Sequence, residues 1–271
     1  MKLAVNQATL MKTPMETFLR AITKAGFEGV ELRRDQTFEY LKDHTVKDLK
    51  ELLDENNLQC ISFNAVELFS LCSEDEFRRI LNYTERLMKI GDQIDCDMII
   101  TVPSFLDDPS ISETKIVSQT VERLKILANL ANNFSFRLGF EPLGFPNCSV
   151  RKVGFALKII QSQDLPEMGL VIDTFHYFVG ENPLNNLDTI PIEKLWLIHI
   201  NDAIEKPFKE IQDSHRVLPC QGFFNLETFI QKLKNIGYNG WISLELFNVQ
   251  LWGGDPYQVA KDSMESIKKI L

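Results

Sequence analysis

The chain is poor in cysteine: 271 residues contain five, none spaced as C-x-x-C. That excludes a disulfide framework or a zinc ribbon, and Cys60, Cys72, Cys96, Cys148 and Cys220 suit a reducing compartment. No stretch approaches the roughly 20 apolar residues of a membrane span. The opening MKLAVNQATLMKTP turns polar after five residues, so the expected location is cytoplasmic, away from membranes. Lysine and arginine never form a run, and the net charge is -9, which argues against nucleic acid and anionic lipid as partners. No G-x-G-x-x-G follows the first apolar run and no G-x-x-x-x-G-K-[ST] occurs, so the usual nucleotide signatures are missing. Low-complexity tracts and Pro/Gly/Ser linkers are missing too, and residues 1–271 read as a single domain.

What is present is an ordinary globular composition, 44% apolar and 25% charged, in a chain long enough to bury a core unaided. Eight short β-rich runs recur: residues 3–6, 29–33, 58–64, 97–103, 136–142, 169–173, 195–201 and 241–247. Between them PMETFLRAITKAG, TVKDLKELLDENN, EDEFRRILNYTERLMKIGDQI and ETKIVSQTVERLKILANLANN repeat apolar residues at three and four. NLETFIQKLKNIG and PYQVAKDSMESIKKIL follow later, and after the sixth run only a single turn near NPLNNL is expected. Strands alternating with helices require parallel pairing and right-handed crossovers. Eight such units predict an α/β fold, a closed (β/α)8 TIM barrel, with an open doubly wound sheet as the alternative.

In such a barrel the C-terminal strand ends line one mouth. The fifth run ends on Glu141, the sixth on Asp173, the seventh carries His199 near its end and the eighth carries Glu245. Singly, each has an ordinary explanation: a turn cap, a satisfied core histidine, a glutamate paired with a nearby base. Together, three carboxylates crowded at one height repel unless a cation lies among them. Three carboxylates and an imidazole suit one divalent ion, Mn, Co, Zn or Mg, in a catalytic role. His176, a short step past Asp173, and Arg216, in the long loop after the seventh strand, reach the same mouth as candidate donors to an oxygen-rich substrate. Glu31 and Asn64 also fall at strand ends, where packing and solvation alone explain them, and His44 and His215 read as surface residues.

The segments holding these residues resemble the sugar isomerase/epimerase barrels of the xylose-isomerase-like superfamily, most closely the inosose (2-keto-myo-inositol) isomerases. The likeness rests on MKLAVNQAT, EYLKDHTVKDL, LGFEPLGFPNC, GLVIDTFHYF, LIHINDA, HRVLPCQG and ISLELF, in the family's order and spacing. The resemblance implies Glu141, Asp173, His199 and Glu245 as metal ligands, Glu141 and Glu245 as the catalytic acid/base pair, and His176 and Arg216 as substrate contacts. It implies interconversion of 2-keto-myo-inositol and 1-keto-chiro-inositol by proton transfer through a metal-chelated enediolate, on a small polyol or keto-sugar, with room for a homo-oligomer. Related ketose 3-epimerases carry a further glutamate six residues past the fifth-strand ligand; here Asn147 stands there, which counts against that activity. Cys220 replaces a glycine usual in PGQG-like loops. A keto-inositol dehydratase begins with the same enolate and stays open. An abasic-site endonuclease is poorly supplied by four histidines and a charge of -9. A non-catalytic sugar-binding protein would not require the glutamate pair.

Overall fold

The computed structural model describes residues 1–162 and 168–271. Eight parallel strands close into a barrel: β1 (Lys2–Asn6), β2 (Gly29–Arg33), β3 (Gln59–Glu67), β4 (Met98–Val102), β5 (Arg137–Phe140), β6 (Met168–Asp173), β7 (Leu195–Ile200) and, after two short strands described below, β10 (Trp241–Leu244). They neighbour one another in chain order, and β1 pairs with both β2 and β10. Closure leaves the barrel without an edge strand, as the (β/α)8 expectation requires and the open-sheet alternative does not.

The outer ring is α1 (Met15–Ala25), α2 (Arg34–Tyr40), α3 (Val46–Glu55), α4 (Glu74–Ile94), α5 (Glu113–Asn132), α6 (Val153–Gln161), α7 (Thr174–Val179), α8 (Leu226–Asn235) and α9 (Pro256–Lys268). Local chemistry starts and stops them. Thr45 with Asp48 and Ser73 with Glu76 form capping boxes at α3 and α4. Gly26, at φ +99°, ends α1 in the left-handed conformation. The longer helices lay apolar stripes on the barrel, for example Phe18, Leu19 and Ile22 of α1, all fully buried.

Several elements depart from the sequence expectation, among them α2 and α6, which fall outside the periodic segments named above. β3 runs on to Glu67, because Val66 and Glu67 continue the ladder with Thr101 and Val102. After β6, helix α7 starts at once, capped by Asp173, whose side chain accepts the His176 N–H; the turn at Leu184–Thr189 follows it. His176 therefore sits on a helix. The long segment after β7 contains an antiparallel pair, β8 (Asp202–Ala203) and β9 (Arg216–Val217), which returns Arg216 to the barrel. Among the described residues no helix is long and apolar enough to cross a membrane.

The barrel interior is a second, smaller core of Ala4, Ile61, Met98, Ile100, Val171 and Leu197 among others. Trp196 and Trp241, near the starts of β7 and β10, pack against it at the N-terminal end. Gly169 makes room for Trp196: a Cβ there would stand 2.2 Å from the indole. Gly169→Ala is expected to cost about 1–3 kcal/mol through overpacking. Denaturant titration measures it, and an unchanged midpoint would show that the ring moves aside freely.

Candidate active site

Closure of the barrel places the C-terminal strand ends around one mouth, and there Glu141, Asp173, His199 and Glu245 meet. One ligand atom from each lies within 4.8 Å of every other. Asp173 is paired in register with His199, which is itself beside Ser243 on β10. Glu141 and Glu245 follow the last residues of β5 and β10, their N–H groups still donating to Thr101 and Ile200. All four are buried.

The geometry around His199 bears on what the cluster can bind. Its Nε2 is 3.0 Å from Glu31 Oε1, and Glu31 also accepts from Ser62 Oγ at 2.6 Å. Its Nδ1 faces the other three acids, 3.0 Å from Glu141, 3.5 Å from Glu245 and 3.9 Å from Asp173. A carboxylate behind one nitrogen fixes the tautomer and aims the other as a ligand, the arrangement found in metal sites. Glu31, read from sequence as a packing or solvation residue, is thus part of the site's support. Asn64 is as well: it donates to Glu245 Oε1 at 3.3 Å, beside Asn6 at 3.0 Å.

Asp173 is pinned by the His176 N–H and Asn201 Nδ2, each at 3.0 Å, and by Arg216 Nη1 at 2.5 Å. Arg216, fully buried, also reaches Glu245 Oε2 at 3.2 Å and Asp213 Oδ1 at 2.8 Å. Its Nη2 lies 3.1 Å from His176 Nε2. His215 is half-buried and His44 exposed, stacked on Tyr40, both outside the mouth as expected. Asn147 is exposed and contributes nothing to the mouth; its carbonyl accepts from Leu106. Cys220 has φ +66°, so its loop does adopt a glycine-like conformation despite the side chain.

Burial pushes Glu141 and Glu245 above the ordinary carboxylate range and Asp173 up to about 6, with Arg216 or His199 pulling against it. Burial would lower His199, but Glu31, Glu245 and Glu141 hold it well above its usual value. Glu31 is lowered: burial opposes this, but His199 and the hydroxyls of Ser243 and Ser62 outweigh it. The buried acids therefore collect positive charge, and three carboxylate oxygens plus one imidazole nitrogen at these separations fit a divalent cation.

Sequence reading passed over Asn6, Asn201, Arg33, Glu67 and Asp213. The first three had a usable signal, being polar residues at strand ends like those chosen. Glu67 and Asp213 lie beyond the expected strands and had none.

Fold and site together define a TIM barrel whose mouth can hold a metal among buried acids and a histidine. The chain belongs to the xylose isomerase-like TIM barrel family, whose model matches residues 19–270. It is 29% identical to an inosose isomerase of Halalkalibacterium halodurans over 97% of this chain and 95% of that one. It is 26% identical to a 3-dehydroshikimate dehydratase of Pseudomonas aeruginosa over 85% of this chain but 36% of that one. A crystal structure of IOLI protein with a bound zinc atom superposes with a TM-score of 0.95 at 25% identity, covering 100% of this chain and 98% of that one.

Titration with manganese or zinc should give one tight site whose affinity rises with pH. The raised His199 holds a proton that the ion must displace, so binding strengthens as pH rises and that proton becomes easier to remove. Calorimetry in buffers of different ionisation heat reads the released proton. Glu31→Gln should weaken the site about 10–100-fold by freeing the imidazole; undiminished affinity would deny Glu31 that role.

Proposed function

We propose that this protein is an inosose isomerase, interconverting 2-keto-myo-inositol and 1-keto-chiro-inositol with one divalent cation, zinc, manganese or cobalt, held by Glu141, Asp173, His199 and Glu245. The observation that carries the reading is the unequal setting of the three acids. Glu141 and Glu245 line the cavity of about 250 Å³, whereas Asp173 is outside that lining and already accepts from Arg216, Asn201 and the His176 N–H, which leaves Oδ1 capacity for a cation and none to spare for proton transfer. Two cavity-facing glutamates with raised proton affinity suit a transfer from one ring carbon to the next.

When bound, the ion polarises the ketone and the neighbouring hydroxyl, making the C–H between them more acidic. Glu245, oriented by Asn6, Asn64 and Arg216, takes that proton from the hydroxyl-bearing carbon. The electron pair moves into a carbon–carbon double bond and onto the ketone oxygen. Glu141, which enters the step protonated, delivers that proton to the former ketone carbon, the hydroxyl proton crosses to the former ketone oxygen, and the carbonyl has moved by one carbon; exchange with solvent then returns Glu245 and Glu141 to their starting states. His176 is held neutral, well below its usual range, by burial and by Arg216. With Nε2 turned to Arg216, its Nδ1 bears the proton and has no hydrogen-bond partner among the described residues, so a small turn of this cavity-lining ring would offer a donor to a substrate oxygen.

The similarity to a 3-dehydroshikimate dehydratase favours one second reading, a keto-inositol dehydratase, which takes the same first proton and then expels water. Incubation with 2-keto-myo-inositol in deuterated water separates the two by NMR: deuterium beside a shifted ketone marks the isomerase, a dehydrated diketone the lyase. Glu245→Gln is expected to lower turnover at least about 10²-fold with the fold retained, when measured at an ion concentration that restores full occupancy of the weakened site. Full activity in that variant would remove Glu245 as the base.

A further inference from the structure

Part of the cavity lining takes no share in this chemistry. Arg33, the last residue of β2, and Glu67, the last of β3, face the cavity with side chains 16% and 37% exposed. Arg33 Nη2 donates to Glu67 Oε1 at 3.0 Å, and Nη1 donates to Asn64 Oδ1. Asn64 in turn donates to Glu245, so the pair is tied by one residue to the proposed base. The Phe247 ring lies 5.3 Å from both the Arg33 and the Arg216 guanidinium carbons, fixing the two cations about one aromatic plane.

We propose that the Arg33–Glu67 pair determines substrate charge: it accepts the distal hydroxyls of a neutral polyhydroxy ring and turns away a ring bearing a carboxylate. This rests on the isomerase reading above. A hydroxyl needs both a donor and an acceptor, and the pair presents both, since two of the five Arg33 N–H groups are engaged and Glu67 keeps unused lone pairs. A carboxylate needs donors alone, in a fork that matches guanidinium. Here one N–H of each Nη is already given to Asn64 and Glu67, and an anion approaching the rest of the guanidinium would meet the Glu67 charge. Val102, Leu143, Phe105 and Phe145 supply an apolar wall for the C–H edge of the ring. Among relatives of this chain are proteins named for 3-dehydroshikimate, a carboxylated cyclic ketone of similar size, so ring charge is a real point of divergence.

Calorimetric binding of 2-keto-myo-inositol and of 3-dehydroshikimate to the manganese-loaded protein tests this. Wild type should bind the neutral ring at least about tenfold more tightly. Glu67→Gln releases Arg33 and should raise 3-dehydroshikimate affinity by about tenfold, and the double variant Arg33→Met/Glu67→Gln should lose that gain. Equal manganese stoichiometry and circular dichroism in all forms show that each variant is folded. A preference unchanged by Glu67→Gln, or a gain that persists in the double variant, overturns the proposal. The reading of the reaction fails separately: a wild type that binds 2-keto-myo-inositol, with the predicted response to Glu67→Gln, yet exchanges no deuterium into it, keeps the charge selection and loses the isomerase.

Discussion

Mutual repulsion among buried carboxylates is the constraint around which the mouth of this barrel is arranged. Glu31, Glu141, Asp173 and Glu245 are each at most 3% exposed, and no solvent screens one from another. The structure answers with positive charge from several directions: the fully buried Arg216, a His199 drawn toward its protonated form, and a ligand geometry fit for a divalent cation. Remove any one, and the others must carry more. That interdependence explains why so much of the surrounding polar structure consists of second partners: Ser62 for Glu31, Asn201 for Asp173, Asn6 and Asn64 for Glu245.

The same constraint separates roles among chemically similar side chains. Asp173 accepts from three donors, one of them the His176 N–H that it caps at the start of α7, so its carboxylate is held in place as a ligand. Glu141 touches little besides His199 and keeps its freedom to gain and lose a proton. Arg216 stays charged, held over Phe175 at 4.6 Å and against Asp213, and its direction is set by the β8/β9 pair that carries the chain back over the mouth. Fold and reactivity meet in these placements: a rigid strand end supplies position, and the surrounding burial supplies proton affinity.

Much of the site was legible before the fold was known, because a strand's last residues project into the mouth whatever the helices outside do. The run GLVID ending on Asp173 and the histidine of LIHIN follow from chain order and period alone. Glu31 was underrated since nothing local separates a polar strand end that solvates from one that braces a histidine. Helix α7 was missed because TFHYFV continues an apolar run, and only the Asp173 cap converts it to helix.

The sequence by itself determined the eight alternating units, the height of the four candidate ligands and the lack of any basic, membrane-spanning or disulfide character. Only tertiary structure decided which groups stand behind those ligands and which face the cavity. Glu31 and His199 are 168 residues apart, and Asn64 and Glu245 181, and no local pattern encodes either meeting. Those contacts arise from barrel closure and from the path of the β8/β9 return, which fix lateral neighbours that a periodicity running along the chain leaves unspecified.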